Sequence, residues 1–464
     1  MKAFKIAGLL VSLLLANDSL LINLPADSWY EVPNTKMSGI MYKPVTTGIM
    51  NAWSGGVFDP LARRMLVWGG GAGNYPYNEL DAFSIDSLKW TRLTEPCVNY
   101  GCCDPDPCGT PMVRHSYSGM AFITHANRFF VNGGAKNCYA QVCPNNRTGD
   151  GVTLNKTWTF DMATNSWELM YRSEASLDTV LSSEGDGPGG VATTCSYDSV
   201  TGLVFYASSV SGTFTYNYDT NVWTKISSDR TTDQNSCIDT KRRRLVRLGN
   251  DGQNWDHHVA VLDLTKPGFP KTNYLTTGTN NIITRQAPGL DYDPVADKYV
   301  CWRDTNVYTL DPDTWVWTKH SGVGAPPATP HGIYGRWRYI PSVNAFICIT
   351  SEDKNVHFYK LTSRNGSSTS EKLLHSKSEK LHLTVSPNPF NPVTRVGVSG
   401  LTGNRPCLIS LYNATGSKLH GAVVPVHGGT ALYKLNGGKF ATGLYVIRVE
   451  QGDKSAIKAV MLTR

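Results

Sequence analysis

An apolar strand that ends in two glycines, Met65-Leu-Val-Trp-Gly-Gly70, is the first of six related strands between about residues 50 and 361. The other copies are Phe129-Phe-Val-Asn-Gly-Gly134, Leu203-Val-Phe-Tyr206, Leu245-Val-Arg-Leu-Gly249, Tyr299-Val-Cys-Trp302 and Phe346-Ile-Cys-Ile349. Most follow an apolar strand that ends in a turn, such as Gly56-Val-Phe-Asp59. Self-similarity at about 40 to 50 residues is typical of propeller blades. The repeat therefore predicts an all-β protein with a six-bladed propeller.

The outer part of four of the repeats carries an aromatic residue followed seven positions later by Trp. The pairs are Phe83 and Trp90, Phe160 and Trp167, Tyr216 and Trp223, and Tyr308 and Trp315. A short polar hairpin such as Asp219-Thr-Asn-Val222 separates the partners. Together with the paired glycines, this pattern resembles the kelch repeat, although only the first two units keep Gly-Gly. The resemblance implies a propeller similar to the central domain of galactose oxidase.

The last repeat lacks an outer Trp strand, because the chain becomes a Ser-rich linker after Leu361. Near the other end, Ser28-Trp-Tyr-Glu-Val-Pro33 matches Lys89-Trp-Thr-Arg-Leu93. We expect the segment around Trp29 to pair into the last blade and close the ring, which removes an exposed sheet edge. The propeller is thus predicted over residues 27–361.

The chain begins with the features of an export signal. Lys2 and Lys5 precede an apolar run from Ile6 to Ala16, which is shorter than the roughly 20 residues that span a membrane as a helix. We predict a signal peptide over residues 1–26 and no transmembrane segment after its removal. The cleavage point is open, because neither Ala16 nor Ala26 has a small residue at the third position back.

A second domain is predicted over residues 381–464, after a polar linker at residues 362–380. Its strands include Leu381-His-Leu-Thr-Val-Ser-Pro-Asn-Pro-Phe-Asn-Pro392, Ile409-Ser-Leu-Tyr-Asn-Ala-Thr-Gly416 and Gly443-Leu-Tyr-Val-Ile-Arg-Val449. These motifs resemble the type A sorting domain of type IX secretion substrates. The resemblance implies an immunoglobulin-like β-sandwich, recognition by the secretion machinery, and a secreted or surface-attached protein. A purely structural sandwich fits the strand pattern too.

Composition and cysteines narrow the class further. A formal charge of +7 over 464 residues gives no indication of nucleic-acid binding. We also expect the protein to be a monomer. Export permits disulfides, and six cysteines lie in loop-like stretches: Cys97, Cys102, Cys103, Cys108, Cys138 and Cys143. Zinc is the alternative, but no C-x-x-C pair supports it, so neither metal nor cofactor is predicted. Cys195, Cys237, Cys301 and Cys348 fall within strands, which predicts buried free thiols.

Loops that precede the first strand of each blade, or follow the second, open on one face of a propeller around its channel. In this chain they supply aromatic rings that can stack and polar groups that give directional hydrogen bonds. The predicted ligand-binding residues are Trp53, Tyr75, Tyr77, Arg114, His115, Asn235, Trp255, His257, Arg285 and Arg336. The alternative is that such residues fill the channel or bind backbone carbonyls of neighbouring blades.

These residues leave several functions open. A binding protein for an extracellular glycan or protein is the first hypothesis, since no triad, metal set or carboxylate pair is recognisable. A polysaccharide lyase would draw a base and a charge-neutralising group from His115, Tyr77, His257 and Arg285. A copper oxidase resembling galactose oxidase needs two His and two Tyr, and no Tyr and Cys pair matches. The basic run Lys241-Arg-Arg-Arg244 is interpreted as a solvated turn on the opposite face.

Overall fold

The computed structural model describes residues 17–43, 48–50, 53–70, 75–98, 104–135, 156–170, 187–249, 258–279, 281–320, 322–362, 381–402, 406–413, 418–451 and 454–463. Residues 17–22 are helical, and two 3₁₀ turns cover Met37–Gly39 and Asn281–Thr284. Strands make up nearly all the remaining regular structure of these ranges. None of the helices within them is long and apolar enough to cross a membrane. The predicted all-β class is confirmed.

The first strand, β1 (Ser28–Glu31), belongs to the last blade, and three four-stranded antiparallel blades follow it along the chain. Blade 1 consists of β2 (Gly56–Asp59), β3 (Arg64–Val67), β4 (Asp81–Ser84) and β5 (Lys89–Arg92). Blade 2 consists of β6 (Met120–Ile123), β7 (Arg128–Val131), β8 (Trp158–Asp161) and β9 (Ser166–Leu169). Blade 3 consists of β10 (Thr194–Asp198), β11 (Leu203–Ser208), β12 (Gly212–Asn217) and β13 (Val222–Ser227).

Three more blades complete the set. Blade 4 consists of β14 (Asn235–Asp239), β15 (Arg244–Leu248), β16 (His258–Asp263) and β17 (Lys271–Leu275). Blade 5 consists of β19 (Gly289–Asp293), β20 (Lys298–Arg303), β21 (Asn306–Leu310) and β22 (Val316–Lys319), with the short β18 (Thr277–Gly278) added in parallel to β22. Blade 6 consists of β23 (Trp337–Ile340), β24 (Ala345–Cys348), β25 (His357–Lys360) and β1.

The blades are arranged as a ring around their first strands. Strand β2 contacts β6, and the contacts continue through β10, β14, β19 and β23 back to β2. Backbone hydrogen bonds join neighbouring blades just before these strands. The Tyr117 amide donates to the Trp53 carbonyl at 2.7 Å, and the Gly56 amide donates to the Tyr334 carbonyl at 3.0 Å. The predicted six-bladed arrangement is confirmed within the described ranges.

Strand β1 closes the ring by pairing with β25, as the sequence predicts. Trp29 lies opposite Tyr359 in the antiparallel register. Its indole ring also contacts Trp302 of blade 5 and Trp337 of blade 6, with centroids 6.5 and 5.9 Å apart. One aromatic side chain from the N-terminal region therefore joins the last two blades.

The hairpin between the first two strands of a blade begins with an aspartate. The Asp59 Oδ1 atom accepts the amides of Leu61 and Ala62 at 2.9 and 3.0 Å, and Asp239 and Asp293 bond equivalent amides in their blades. Aspartate favours turns because its side chain can bond amides two or three residues ahead. This local bonding explains why the repeats keep Asp at the end of the first strand.

The seven-residue spacing of the aromatic pairs reflects cross-strand pairing. Phe83 lies directly opposite Trp90, and Phe160 lies opposite Trp167, with ring centroids 5.4 and 5.1 Å apart. Blade 5 departs from the prediction. Trp315 lies in the turn with φ of 59° and stacks on Tyr274 of blade 4, whereas Trp317 takes the position opposite Leu310.

The C-terminal region is a sandwich of two sheets. One sheet consists of β26 (His382–Ser386), β27 (Val393–Ser399) and β30 (Thr430–Asn436). The other consists of β28 (Cys407–Tyr412), β29 (Lys418–Val424), β31 (Gly443–Gln451) and β32 (Lys454–Leu462). Buried side chains from both sheets, including Val396 and Ile447, form a common core.

Candidate binding site at the channel mouth

A left-handed backbone turn precedes the first strand of every blade. The residues in this conformation have φ between 33° and 52°; they are Trp53, Tyr117, Ala192, Asp233, Ala287 and Tyr334. Each lies two or three residues before its strand. Bulky residues rarely adopt positive φ, and they do so where the surrounding structure fixes them, often at functional sites. The turns bring three aromatic side chains and a carboxylate to the same end of the ring.

Residues from alternate blades meet at this end. The Tyr334 ring of blade 6 contacts the Tyr117 ring of blade 2 at 5.6 Å between centroids. The Tyr334 hydroxyl donates a hydrogen bond of 2.9 Å to Asp233 of blade 4. The amide of Gln286 donates to the second oxygen of Asp233 at 3.2 Å. These contacts join blades 2, 4 and 6 at the end of the ring where the first strands begin, and we call this layer the floor of the mouth.

An aromatic stack lies beside this floor. The Trp53 indole stacks on His331 with centroids 3.8 Å apart, and it contacts His115 at 4.9 Å. His115 in turn contacts Tyr117 edge-to-face at 6.0 Å. Trp53, Tyr117 and His331 are half-buried, whereas His115 and Tyr334 are buried. We call Trp53, His115, Tyr117, Asp233, His331 and Tyr334 the mouth cluster.

The imidazoles of the mouth cluster are neutral at pH 7. Burial lowers the pKa of His115 to about 4, and the nearby His331 lowers it further. Burial also lowers the pKa of His331, with contributions from the cationic Arg303 and Arg336. Burial raises the pKa of Tyr117, and Asp233 adds to this effect. The half-buried rings thus present uncharged aromatic faces.

Two arginines border the mouth cluster. Arg303 is buried and donates to the hydroxyl of Thr329 at 2.6 Å and to the backbone carbonyl of His331, which fixes the loop that carries His331. Arg285 is more than half exposed and forms an ion pair with Asp304. Of the predicted ligand-binding arginines, Arg285 is therefore the one on an accessible rim.

Two of the predicted arginines and the predicted asparagine are buried and bonded within the protein. Arg114 pairs with Asp104 at 2.7 Å and donates to backbone carbonyls. Arg336 donates to the carbonyls of Ile349 and Thr350 at 2.9 and 3.0 Å. Asn235 donates to the carbonyl of Pro288 at 2.7 Å. These contacts match the alternative in which such residues join neighbouring backbone segments.

Of the candidate catalytic residues, Tyr77 does not lie beside His115. His115 contacts Trp53 and Tyr117, whereas Tyr77 packs against Tyr42 and Tyr75 with centroids 5.0 and 5.3 Å apart. Tyr75 is fully buried and donates its hydroxyl proton to Glu79. The predicted Trp255 and His257 lie outside the described residues.

The cysteines divide as the sequence suggests, as far as they are described. Cys97 and Cys108 form a disulfide with Cα atoms 5.8 Å apart. Together with Asp106, they form the group of three side chains among the described residues that are close enough to bind one metal ion. The two sulfurs are bonded to each other, however, and therefore supply no thiolate ligand. Cys195, Cys237, Cys301 and Cys348 are buried and free, as predicted. The candidates Cys102, Cys103, Cys138 and Cys143 lie outside the described residues.

The basic run of blade 4 lies in the hairpin between β14 and β15, at the opposite end of β14 from the mouth turn at Asp233. Arg242 pairs with Asp297 at 2.6 Å and with Asp313 at 3.0 Å, and Arg243 pairs with Asp198 at 2.6 Å. Carboxylates of adjacent blades thus compensate these charges. The contacts favour a structural role for the run.

The C-terminal sandwich matches a known family. Residues 384–463 fit the profile described as a secretion system C-terminal sorting domain. The tail is a type IX sorting domain. It marks the protein for export to the cell surface or the medium, and it implies contact with the secretion machinery.

Other comparisons are remote. None of the curated protein sequences matches the chain. The extracellular domain of a hybrid two-component system from Bacteroides thetaiotaomicron is 10% identical, with a TM-score of 0.37 over 94% of this chain and 59% of its own. An auxiliary nutrient binding protein from the same species is 11% identical, with a TM-score of 0.42 over 67% of this chain and 68% of its own. The chain thus spans about three fifths of the length of the first structure, and arguments about function rest on its own residues.

Proposed function

We propose that this exported protein is a kelch-type propeller that binds an extracellular glycan at the mouth cluster. The observation that carries the proposal is the half-buried indole of Trp53, which contacts His115 and His331 at the end of the ring where the first strands of the blades begin. Sugar rings present C–H faces that pack on flat aromatic surfaces, and neighbouring polar groups set their orientation.

Polar groups beside the stack support a glycan ligand. Asp233 and Gln286 offer acceptor and donor atoms on the floor, and the exposed Arg285 offers donors on the rim. Backbone turns in the left-handed region hold Trp53, Tyr117 and Tyr334 in fixed positions. Because the rings are already ordered, binding costs little side-chain entropy.

The kelch assignment within this proposal rests on the aromatic pairs. Phe83 with Trp90, Phe160 with Trp167, and Tyr216 with Trp223 occupy directly opposed positions on the outer strands of blades 1 to 3. The Gly-Gly pairs that follow β3 and β7 pack closely against backbone. A Cβ atom on Gly70 would lie 2.6 Å from the carbonyl oxygen of Tyr75, and one on Gly134 would lie 2.5 Å from that of His115.

A polysaccharide lyase is the second candidate, because one observation favours it. His115 is neutral at pH 7, and its Nε2 atom is buried without a hydrogen-bond partner among the described residues. A neutral imidazole can accept the proton α to a uronate carboxylate, and Arg285 could neutralise that carboxylate. The copper-oxidase alternative fits less well, because the Trp53 ring stacks against both His115 and His331.

A panel of acidic and neutral polysaccharides tests the proposal with the full-length exported protein. We expect retention of at least one polysaccharide in affinity electrophoresis without chain cleavage. Trp53→Ala should weaken retention about tenfold or more, which corresponds to ~1.4 kcal/mol. Tyr274→Ala, at a half-buried aromatic stack between blades 4 and 5, is the matched control and should leave retention unchanged.

Three outcomes count against the binding proposal. Growth of ultraviolet absorbance from unsaturated products indicates a lyase, and His115→Ala should then abolish the signal. Peroxide formation with primary alcohols and added copper indicates an oxidase. Equal retention of the wild-type protein and the Trp53→Ala variant places the glycan site elsewhere.

A further inference from the structure

A cluster of five charged side chains lies between blade 1 and the sorting domain. Arg63, in the first hairpin of blade 1, pairs with Asp18 at 2.7 Å and with Asp86 at 2.5 Å. Arg448 of β31 pairs with Asp18 at 2.7 Å, with Asp86 at 3.2 Å and with Glu450 at 3.1 Å. Both arginine side chains and Asp86 are 2% exposed. The two domains therefore share one buried ionic network.

Asp18 is the member of this network that comes from the N-terminal segment. Its carboxylate accepts from Arg63 of the propeller and from Arg448 of the sorting domain. The neighbouring Asn17 side chain donates to the backbone carbonyl of Asp86 at 2.7 Å. Residues 17 and 18 thus contact both domains at the place where these meet.

Leu21 and Ile22, which follow in the same segment, pack against blade 6. The Leu21 side chain is fully buried in the core cluster that contains Ile340 and Val343. The Lys360 ammonium is fully buried and donates to the carbonyls of Ile22 at 2.9 Å, Val343 at 2.9 Å and Leu21 at 3.5 Å. Backbone carbonyls from the N-terminal segment therefore replace much of the hydration of a buried charge.

We infer that residues 17–26 remain in the exported protein and that the leader is removed on the N-terminal side of Asn17. Hydrolysis adds water across one peptide bond, leaving a carboxylate on the released leader and an ammonium on the exported chain. Cleavage after Ala26 would instead remove two carbonyl partners of Lys360, the buried Leu21 and the shared Asp18. A buried charge that loses its partners is strongly destabilising, so a chain cut after Ala26 would form a less stable propeller.

The N terminus of the exported chain tests this inference. The full-length gene is expressed in a bacterium with type IX secretion, and the protein from the medium is analysed by N-terminal sequencing and intact mass. We expect a chain that begins at Asn17 or a few residues before it. A chain that begins at Asp27, or at any residue after Asp18, would overturn the inference.

A matched pair of substitutions tests the role of the retained segment separately. Asp18→Asn should lower the thermal midpoint of the exported protein by about 3 °C or more, because Arg63 and Arg448 lose a shared carboxylate. Asp353→Asn, at an exposed aspartate, should shift the midpoint by less than about 1 °C. Equal thermal midpoints for both variants would contradict a stabilising role of the Asp18 carboxylate between Arg63 and Arg448. Neither experiment depends on the glycan proposal, since no mouth residue is changed.

Discussion

The carboxyl group of Asp81 is buried without a compensating hydrogen bond among the described residues. It is fully buried in β4, and neither of its oxygens has a hydrogen-bond partner among the described residues. Burial raises its pKa well above the usual value, the nearby Glu79 raises it further, and Arg92 opposes the shift. When such a group is ionised, its unpaired buried charge lowers the free energy of unfolding.

Replacing this carboxylate should therefore stabilise the protein. The pKa of Asp81 in the folded state lies above the value of about 3.9 in the unfolded state. Between these two pKa values the folded state binds more protons than the unfolded state, so the free energy of unfolding falls as the pH rises through this range. Asp81→Asn should raise the free energy of unfolding at pH 7 by about 1–3 kcal/mol and flatten its dependence on pH. Chemical denaturation at several pH values measures both effects. Lower stability of the variant at pH 7 would contradict this account, and Asp353→Asn is the control.

The mouth residues show where sequence interpretation works at the residue scale and where it stops. Trp53 and His115 were predicted and lie in the mouth cluster, but in blades 4 and 6 the prediction named Asn235 and Arg336 rather than Asp233 and Tyr334. The repeat locates the start of each first strand within two or three residues. It does not reveal which residue adopts positive φ, because tertiary contacts impose that conformation.

Tyr117 and His331 are two residues of the mouth cluster that the sequence analysis did not predict as ligand-binding. Tyr117 was not predicted, although it occupies the same position before β6 that Trp53 occupies before β2. An alignment of the repeats on their first strands would have found it. His331 was not among the predicted ligand-binding residues, because its stacking on Trp53 joins blades 6 and 1, which lie far apart in sequence.

At the scale of strands, β1 is the element on which ring closure depends. Trp29→Ala removes a ring that contacts Trp302, Trp337 and Tyr359. The free energy of unfolding should fall by about 3 kcal/mol, as is usual for large aromatic truncations in a core. Lys89→Ala, at an exposed position of the corresponding outer strand of blade 1, should change it by less than about 0.5 kcal/mol. Denaturant unfolding of both variants is the measurement, and equal values would argue against a closing role for β1.

Strand pairing was predictable from sequence where local patterns determine it. The match between the segment around Trp29 and the outer strand of blade 1 predicted the pairing of β1 with β25 correctly. The pairing predicted for blade 5 was wrong, because Trp315 lies outside the strand ladder and stacks on Tyr274 of the preceding blade. A packing contact between blades overrides the local spacing there, and one sequence alone does not show that competition.

At the scale of the whole molecule, the sorting domain determines where the propeller acts. Deleting residues 384–463 should keep the protein inside a cell that exports the full-length chain, because the deletion removes the domain that the secretion machinery recognises. Immunoblots of cell and medium fractions measure the distribution. The full-length Trp53→Ala variant is the control and should be exported normally. Efficient export of the truncated chain would contradict the assignment of the tail.

Hydrogen exchange with a bound ligand tests most directly whether the ring forms its binding site at the channel mouth. An oligosaccharide from the polysaccharide that the protein retains is added, and amide exchange is followed by mass spectrometry. We predict slower exchange in peptides that carry Trp53, Tyr117 and Tyr334, with unchanged exchange in the hairpin that carries Arg242. Slower exchange confined to that hairpin or to the sorting domain, with the mouth peptides unchanged, would contradict the account.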